Sequence, residues 1–335
     1  MNKTQKRRLY LGLVRKAAAA LLCLLLIVLI NFFLPRMMPG DPVLMLTGMD
    51  EDALSQQQYD AYKVKLGLDK PMSEQFLDYL GGIFTGNLGY SYHYNEPVST
   101  LLWRRIPNTL QLAVPAILLS SLLAVWLGCS MGYCQGSRRE RLTSSVMIVL
   151  DAVPGFLLSM VAVYVFAFTL RWLPLGGLSS IVPPKDALAA FGDRVWHLLL
   201  PVLVLTFGTL PSKYMLIRNA VAAESDSRYL LYARARGLTS GRIKYVHLFK
   251  NICPPFIAML GVNIGLILAG SMICETIFSI KGMGELFYSA ITARDFPVMQ
   301  GCLFVTAVTV IAATMAADLA VLLIDPKVRW NGFEK

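Results

Sequence analysis

Charged side chains are scarce. Asp, Glu, Lys and Arg make up 16% of the 335 residues, while 56% are hydrophobic. A soluble protein carries about 25% charge, so a water-soluble globule is excluded and an integral membrane protein is indicated. No GxxxxGK[ST] stretch occurs, so the chain has no phosphate cradle of the P-loop kind, and any ATP that drives it must bind to another polypeptide. HExxH and GxSxG are missing too, which leaves a metalloprotease or an esterase without its machinery. The three histidines, His93, His197 and His247, fall on three separate segments and form no metal-ligand pattern. The six cysteines (Cys23, Cys129, Cys134, Cys253, Cys274 and Cys302) contain no CxxC pair and lie in or beside apolar runs. They are small buried residues, not a disulfide frame or a metal site. The chain therefore carries no catalytic set and binds no cofactor of its own.

What is present is apolar runs separated by basic punctuation. A formal charge of +10 is compatible with nucleic-acid binding. The basic residues nevertheless sit next to apolar stretches, and the excess of Lys and Arg on the cytoplasmic side of membrane proteins explains them better. Residues 1–16 hold Lys3, Lys6, Arg7, Arg8, Arg15 and Lys16 without an acid, and Ala17–Leu34 follows free of charge. A secretory signal begins in the same way. The run has the length of a span, however, and no small-residue cleavage site follows it, which favours an uncleaved anchor with a cytoplasmic N-terminus.

Five further spans follow at Thr109–Cys134, Ser144–Leu170 (with a kink at Pro154-Gly155), Val195–Arg218, Ile252–Cys274 and Phe296–Ala317. Six spans place both termini on the side of the basic loops, as the charge distribution requires. Four regions result: 1–35 with the first span, 36–106 outside, a five-helix core over 107–325 that includes a loop at 221–250, and a cytoplasmic tail at 326–335. In the outer region, Ala53–Leu66 reads as a helix ended by Gly67, and Met72–Phe84 as a second one. Gly86–Ser91 reads as a turn, and Pro97–Ile106 as a short amphipathic helix suited to the membrane surface.

Asp151, Lys213, Glu275 and Asp318 are the ionisable residues within or beside the later spans. A charge at mid-bilayer costs about 2.5–3.5 kcal/mol on insertion scales, so each must face protein, water or a partner. They either line a translocation path or pair helices, and Glu275 and Asp318, near span ends, suit capping or pairing. Asn263 reads as a helix–helix hydrogen bond sooner than as a ligand contact.

Arg228–Pro255 has an order of its own. Tyr229–Arg236 is built of good helix formers, and Gly237 supplies a permissive stop. Thr239 or Ser240 can cap a second helix with Ile243, Val246 and Phe249 at helical spacing, and Asn251 with Pro254-Pro255 closes it. The pattern gives two short helices at an angle, with Ala233 and Ala235 small enough for close approach from outside. A basic loop that only fixes topology has equal standing on periodicity alone.

Tyr229, Ala233-Arg234-Ala235-Arg236-Gly237-Leu238, His247, Asn251 and Pro255 together resemble the cytoplasmic coupling loop of bacterial ABC-importer permeases, most closely the dipeptide, oligopeptide and nickel branch. Pro39-Gly-Asp-Pro42, Leu66-Gly-Leu-Asp-Lys-Pro71, Gly86–Ser91, Pro154-Gly-Phe156, the Glu275–Gly284 stretch, Asp318 and Asp325-Pro-Lys-Val-Arg329 match in the same order. Departures are Tyr232-Ala233-Arg234 in place of the wider family's Glu-Ala-Ala, Asn87 where Asp is usual, Lys281 where Pro is usual and Lys327 where Arg is common. The resemblance implies an all-α inner-membrane protein with the ABC type I importer permease fold. It implies partnership with a second homologous permease in a heterodimer, with two ATPase subunits that use ATP and magnesium, and with an extracytoplasmic binding protein. The branch carries peptides, nickel complexes and glutathione-like molecules. The alternative is an ion-coupled secondary transporter or channel acting alone, for which Asp151 with Lys213 is the candidate pair.

Overall fold

The computed structural model describes residues 3–37, 41, 43–44, 55–65, 67–91, 93–225, 227–266 and 271–324. Most of these are helical. Helix α1 spans Lys3–Met37, and two shorter helices follow, α2 (Gln56–Lys65) and α3 (Met72–Thr85). Strands β1 (Tyr90–Ser91) and β2 (Glu96–Pro97) form a small antiparallel hairpin. Then come α4 (Val98–Tyr133), α5 (Arg138–Ala152), α6 (Gly155–Ala162, continued as a π-helical stretch Val163–Thr169) and α7 (Ala187–Glu224). The connecting helix α8 (Arg228–Ala235) leads into α9 (Ser240–Gly265), whose early turns Ile243–Leu248 are π-helical. Helices α10 (Met272–Ile277), α11 (Met283–Thr292) and α12 (Phe296–Ile324) complete the described chain.

Among the described residues, five helices are long and apolar enough to cross a membrane: α1, α4, α7, α9 and α12. The bent pair α5–α6 makes a sixth if counted as one span. The kink expected at Pro154-Gly155 is a turn of 95°. Val153 is extended (φ −81°, ψ 119°), as the residue before a proline prefers, and Pro154 then starts α6.

Four other expectations are corrected. Pro97–Ile106 is not a separate surface helix but the beginning of α4, which runs through Pro107 and Pro115. Leu101 and Leu102 are buried against Met283, Leu286 and Val298, and this packing holds the first turns in line with the rest. The fourth span is longer than Val195–Arg218, starting at the Asp186 cap, whose carboxylate accepts the Ala189 N–H at 3.0 Å. Asn251 and Pro254-Pro255 do not close a short loop helix, because α9 continues past them to Gly265. The span expected over Ile252–Cys274 stops there, with 267–270 outside the described residues and Cys274 on the separate α10. Of the sequence motifs, Pro39, Gly40, Pro42, Leu66 and the tail from Asp325 onward also lie outside the described residues, as do Ala53 and Leu54 at the start expected for the first outer helix.

Two glycine seams join the long helices in pairs. Gly128 and Gly132 face α7, where an added Cβ at Gly128 would sit 2.8 Å from the Ile217 side chain and one at Gly132 would sit 2.6 Å from the Arg218 carbonyl. On α9, Gly261 lies against Ala313 and Ala317 of α12, and a Cβ at Gly265 would sit 2.6 Å from Val310. Lipid tails give helices no hydrophobic reason to associate, so close backbone contact at small residues supplies it. Polar pins add to this: Lys16 of α1 pairs with Asp318 of α12, and Asn31 and Gln300 exchange side-chain to backbone hydrogen bonds.

Candidate coupling loop and translocation-path residues

Helix α8 is short, with Leu230 and Ala233 on its inner face. They pack with Ile243 and Leu248 of α9, Val221 of α7 and Cys129 of α4. Ala233 is therefore buried in its own chain and does not offer itself to an outside partner, contrary to the sequence expectation; Ala235 is exposed. The helix ends as Gly237 promised. At φ +73°, Gly237 takes the left-handed conformation, its N–H donates to the Arg234 carbonyl (2.9 Å), and the Leu238 N–H donates to the Ala233 carbonyl (3.2 Å). Ala233, Arg234, Gly237 and Leu238 thus form one helix stop.

Tyr229 ties the two sides of the loop together. Its hydroxyl accepts from the Asn251 side-chain amide (3.0 Å) and donates to the Glu224 carboxylate (3.1 Å), so α7, α8 and α9 meet at one phenol. Burial pushes that phenol above its ordinary value, which keeps the donor in place. Arg234 and Lys244 lie 5.3 and 5.2 Å from the Tyr133 ring centroid at the end of α4, within cation–π reach. The Tyr245 hydroxyl lies 2.9 Å from that of Ser130. His247 is half-buried on the π-helical stretch, and Pro255 is exposed two turns further along α9.

Beneath the loop, Glu140 at the start of α5 is buried. It accepts from Arg218 (2.6 and 2.9 Å) and Ser144 (2.9 Å), and Ser144 in turn meets Tyr214 (2.9 Å). By composition residues 135–141 are a basic turn, with Arg138, Arg139 and Arg141 beside Glu140, and no local pattern pairs Glu140 with Arg218 across 78 positions. The glycine seams do leave a signal in the sequence, the Gly128-x-x-x-Gly132 and Gly261-x-x-x-Gly265 spacings, which put two small residues on one helix face.

The residues considered for a path do not form one group. Asp151 is exposed on α5, while Lys213 is fully buried on α7 and donates to the Ser120 hydroxyl at 2.6 Å. The pair needed by an ion-coupled transporter is not made. Asn263 donates to the Met259 carbonyl of its own helix (2.8 Å), not to a neighbouring helix as expected, and lines a cavity of about 220 Å³. Ala113, Ala116 and Ile117 of α4, Leu205 and Thr209 of α7, Leu266 and Ser271 form its other walls.

Glu275 is fully buried and central to the opposite end of the bundle. One carboxylate oxygen accepts the Thr109 and Ser271 hydroxyls (2.8 and 2.6 Å), and the other accepts the Gly284 and Glu285 N–H groups (2.9 and 3.1 Å) at the start of α11. This is a helix N-terminus satisfied by a carboxylate from another helix. Nearby, the buried Asp295 carboxylate accepts from the Ser91 hydroxyl and, at 3.3 Å, the Val298 N–H, and so fixes the β-hairpin to α12. Burial pushes the Asp295 carboxyl up, against the opposing pull of those two donors.

Among the described residues, five or six apolar helices of span length define a multi-pass membrane protein. Residues 120–330 match the family of binding-protein-dependent transport system inner membrane components, and residues 9–113 match that family's N-terminal region. A di/tripeptide transport system permease protein from Pseudomonas aeruginosa is 32% identical over 90% of this chain and 94% of its own length. A dipeptide transport system permease protein from Lactococcus lactis is 30% identical over 95% of this chain and 98% of its own. The chain belongs to the inner-membrane-component family of binding-protein-dependent transport systems, with the ABC type I importer permease fold, and is a multi-pass inner-membrane protein.

Proposed function

We propose that this chain is the permease subunit of an ATP-driven importer of di- or oligopeptides, worked from the cytoplasm through α8. The names of the two relatives support the cargo class. The observation that carries the coupling role is the outer face of α8. Leu231, Tyr232, Arg234, Ala235 and Arg236 are exposed there, while Leu230, Ala233 and the Tyr229–Asn251 bond anchor the helix to the ends of α4, α7 and α9. A large exposed tyrosine and leucine beside two arginines suit a groove on a partner protein sooner than water alone.

In this reading two ATPase subunits, using ATP and magnesium, grip the face around Tyr232 and Ala235. Their closure moves α8, and α7 and α9 follow because they share its core. An effector shifts a conformational equilibrium only through contacts that differ between the states, so the grip must change between nucleotide states. A second homologous permease completes the path, and an external binding protein delivers the cargo. Pro255 and His247 sit back from the exposed face of α8 and act through the packing of α9.

The test is site-specific cross-linking from Ala235→Cys in membranes that also contain the cognate ATPases, with peptide uptake measured in parallel. A cross-link to an ATPase whose yield changes with nucleotide is the expected result. Uptake driven by an ion gradient in the purified chain alone would establish the secondary-transporter alternative instead; the separation of Asp151 from Lys213 speaks against that.

A further inference from the structure

Lys213 is the one fully buried lysine among the described residues, and its position in an apolar bundle calls for a reason. An ammonium has three donors and no acceptor. Among the described residues, its hydrogen-bond partner is the Ser120 hydroxyl at 2.6 Å, and no carboxylate pairs with it. Ser120 donates in turn to the carbonyl of Ala116 (2.7 Å), a wall residue of the cavity between α4, α7 and α9. Thr209, another wall residue, precedes Lys213 by one helical turn on α7. The ammonium therefore lies two hydrogen bonds behind the end of the cavity nearer the coupling loop. The remaining walls are apolar apart from Thr209, Asn263 and Ser271, and none of them is charged. A cation held this way is an unanswered charge next to a space that opens between the helices bearing it.

We propose that Lys213 is the counter-charge for an anionic group on the translocated molecule, met when the cavity between α4, α7 and α9 extends to it. This rests on the importer reading above and names the chemistry of its cargo: for a peptide, the terminal carboxylate. Thr209, Asn263 and Ser271 then supply neutral hydrogen-bonding groups along the rest of the molecule. Ser120 holds the ammonium in the resting state and gives it up to the stronger, charged acceptor, since hydrogen bonds between ionised groups exceed neutral ones. The charge is placed where it favours passage of an anion without a permanent carboxylate to neutralise it.

A purely structural lysine and a cargo-contacting one behave oppositely when the charge is removed. A buried ion that serves only packing costs desolvation, so Lys213→Met leaves stability unchanged or raises it and does not affect transport. The experiment uses the complete transporter in proteoliposomes, with its second permease, ATPases and binding protein, and radiolabelled di- and tripeptides as probes. Thermal stability of the detergent-solubilised complex and basal ATP hydrolysis are measured on the same preparations. For both Lys213→Met and Lys213→Gln the expected result is an uptake rate at least tenfold lower, with an unchanged or higher melting temperature and unchanged basal hydrolysis; Lys213→Arg retains most of the uptake. Wild-type uptake rates in Lys213→Met or Lys213→Gln overturn the proposal, as does loss of the second permease from the purified variant, which would make Lys213 an assembly contact. If the wild-type transporter takes up no peptide, the peptide reading fails; the effect of the three variants on whatever anionic cargo it does carry still decides the role of Lys213.

Discussion

Replacing Glu275 by alanine removes the acceptor for two backbone N–H groups, Gly284 and Glu285, and for two hydroxyls, Thr109 and Ser271. The hydroxyls can turn to other acceptors. The amides cannot, because α11 fixes their direction and the site is buried. Each orphaned donor costs about 1–3 kcal/mol, so the start of α11 loses about 4 kcal/mol of local stability. At about 1.4 kcal/mol per decade, that is a roughly thousandfold rise in amide exchange at Gly284 and Glu285. Glu275→Gln is milder. Its oxygen can still serve the two amides, but its NH2 group must then face Thr109, whose oxygen already accepts the Met283 N–H at 2.8 Å. One strained hydrogen bond costs about 1 kcal/mol, or about a fivefold rise in exchange. The assay is hydrogen–deuterium exchange on the purified chain in lipid nanodiscs, read on peptides covering Met272–Thr292. Exchange in Glu275→Ala within threefold of wild type would refute the reasoning, since among the described residues Glu275 alone accepts from both amides. An effect in Glu275→Gln as large as in Glu275→Ala would refute it too, by showing that charge alone and not hydrogen-bond geometry holds α11.

Gly132→Val forces a side chain into the Arg218 carbonyl and Val221, and overpacking of this kind costs about 1–3 kcal/mol; Gly208→Ala, with open space around it, is the neutral control in thermal unfolding of the detergent-solubilised protein. Gly237 also has open space, so the cost of Gly237→Val is backbone strain at φ +73°, about 1–2 kcal/mol. Uptake per ATP therefore falls in Gly237→Val and in Gly237→Trp but much less in Gly237→Asn, which tolerates the left-handed conformation; equal loss in all three would point to bulk at the partner surface instead. A double-mutant cycle with Tyr229→Phe and Asn251→Ala is expected to give a coupling energy of about 0.5–1.5 kcal/mol, and additive single effects would remove the bond from the account. Asp295 has a raised pKa when folded, so the folded state holds its proton more tightly than the unfolded chain does. Its contribution is greatest below the ordinary aspartate value near 4 and is lost as pH rises through the raised value. The melting temperature of Asp295→Asn minus that of wild type should therefore grow as pH rises from about 4 to 7; a flat difference would show that burial does not govern this carboxyl.

Much of the fold follows from composition and order. Apolar runs of span length, basic turns between them and the absence of a phosphate cradle specify a helical membrane subunit that draws its energy from elsewhere, because a bilayer admits few other backbones. Gly237 stops α8 for a purely local reason, its freedom at positive φ, and so it was legible. Tyr229 and Asn251 are both legible through their resemblance to a known loop, but their hydrogen bond needs three helices to converge. Ala233 shows the limit of local reading: its size suggested access from outside, whereas the turn of α8 directs it into the chain's own core. Glu275 shows another. Its distance from the span centre suggested a cheap end position, yet α10, α11 and α4 close around it, and its four hydrogen bonds come from residues up to 166 positions away. The sequence by itself determined which stretches are apolar helices and where α8 stops, since propensity and a glycine act over a few residues. Only the tertiary structure decided which face of each helix is inside, which charges meet an opposite charge and which, like Lys213, are held by a neutral hydroxyl, because those outcomes depend on distances between residues that the chain's order leaves free.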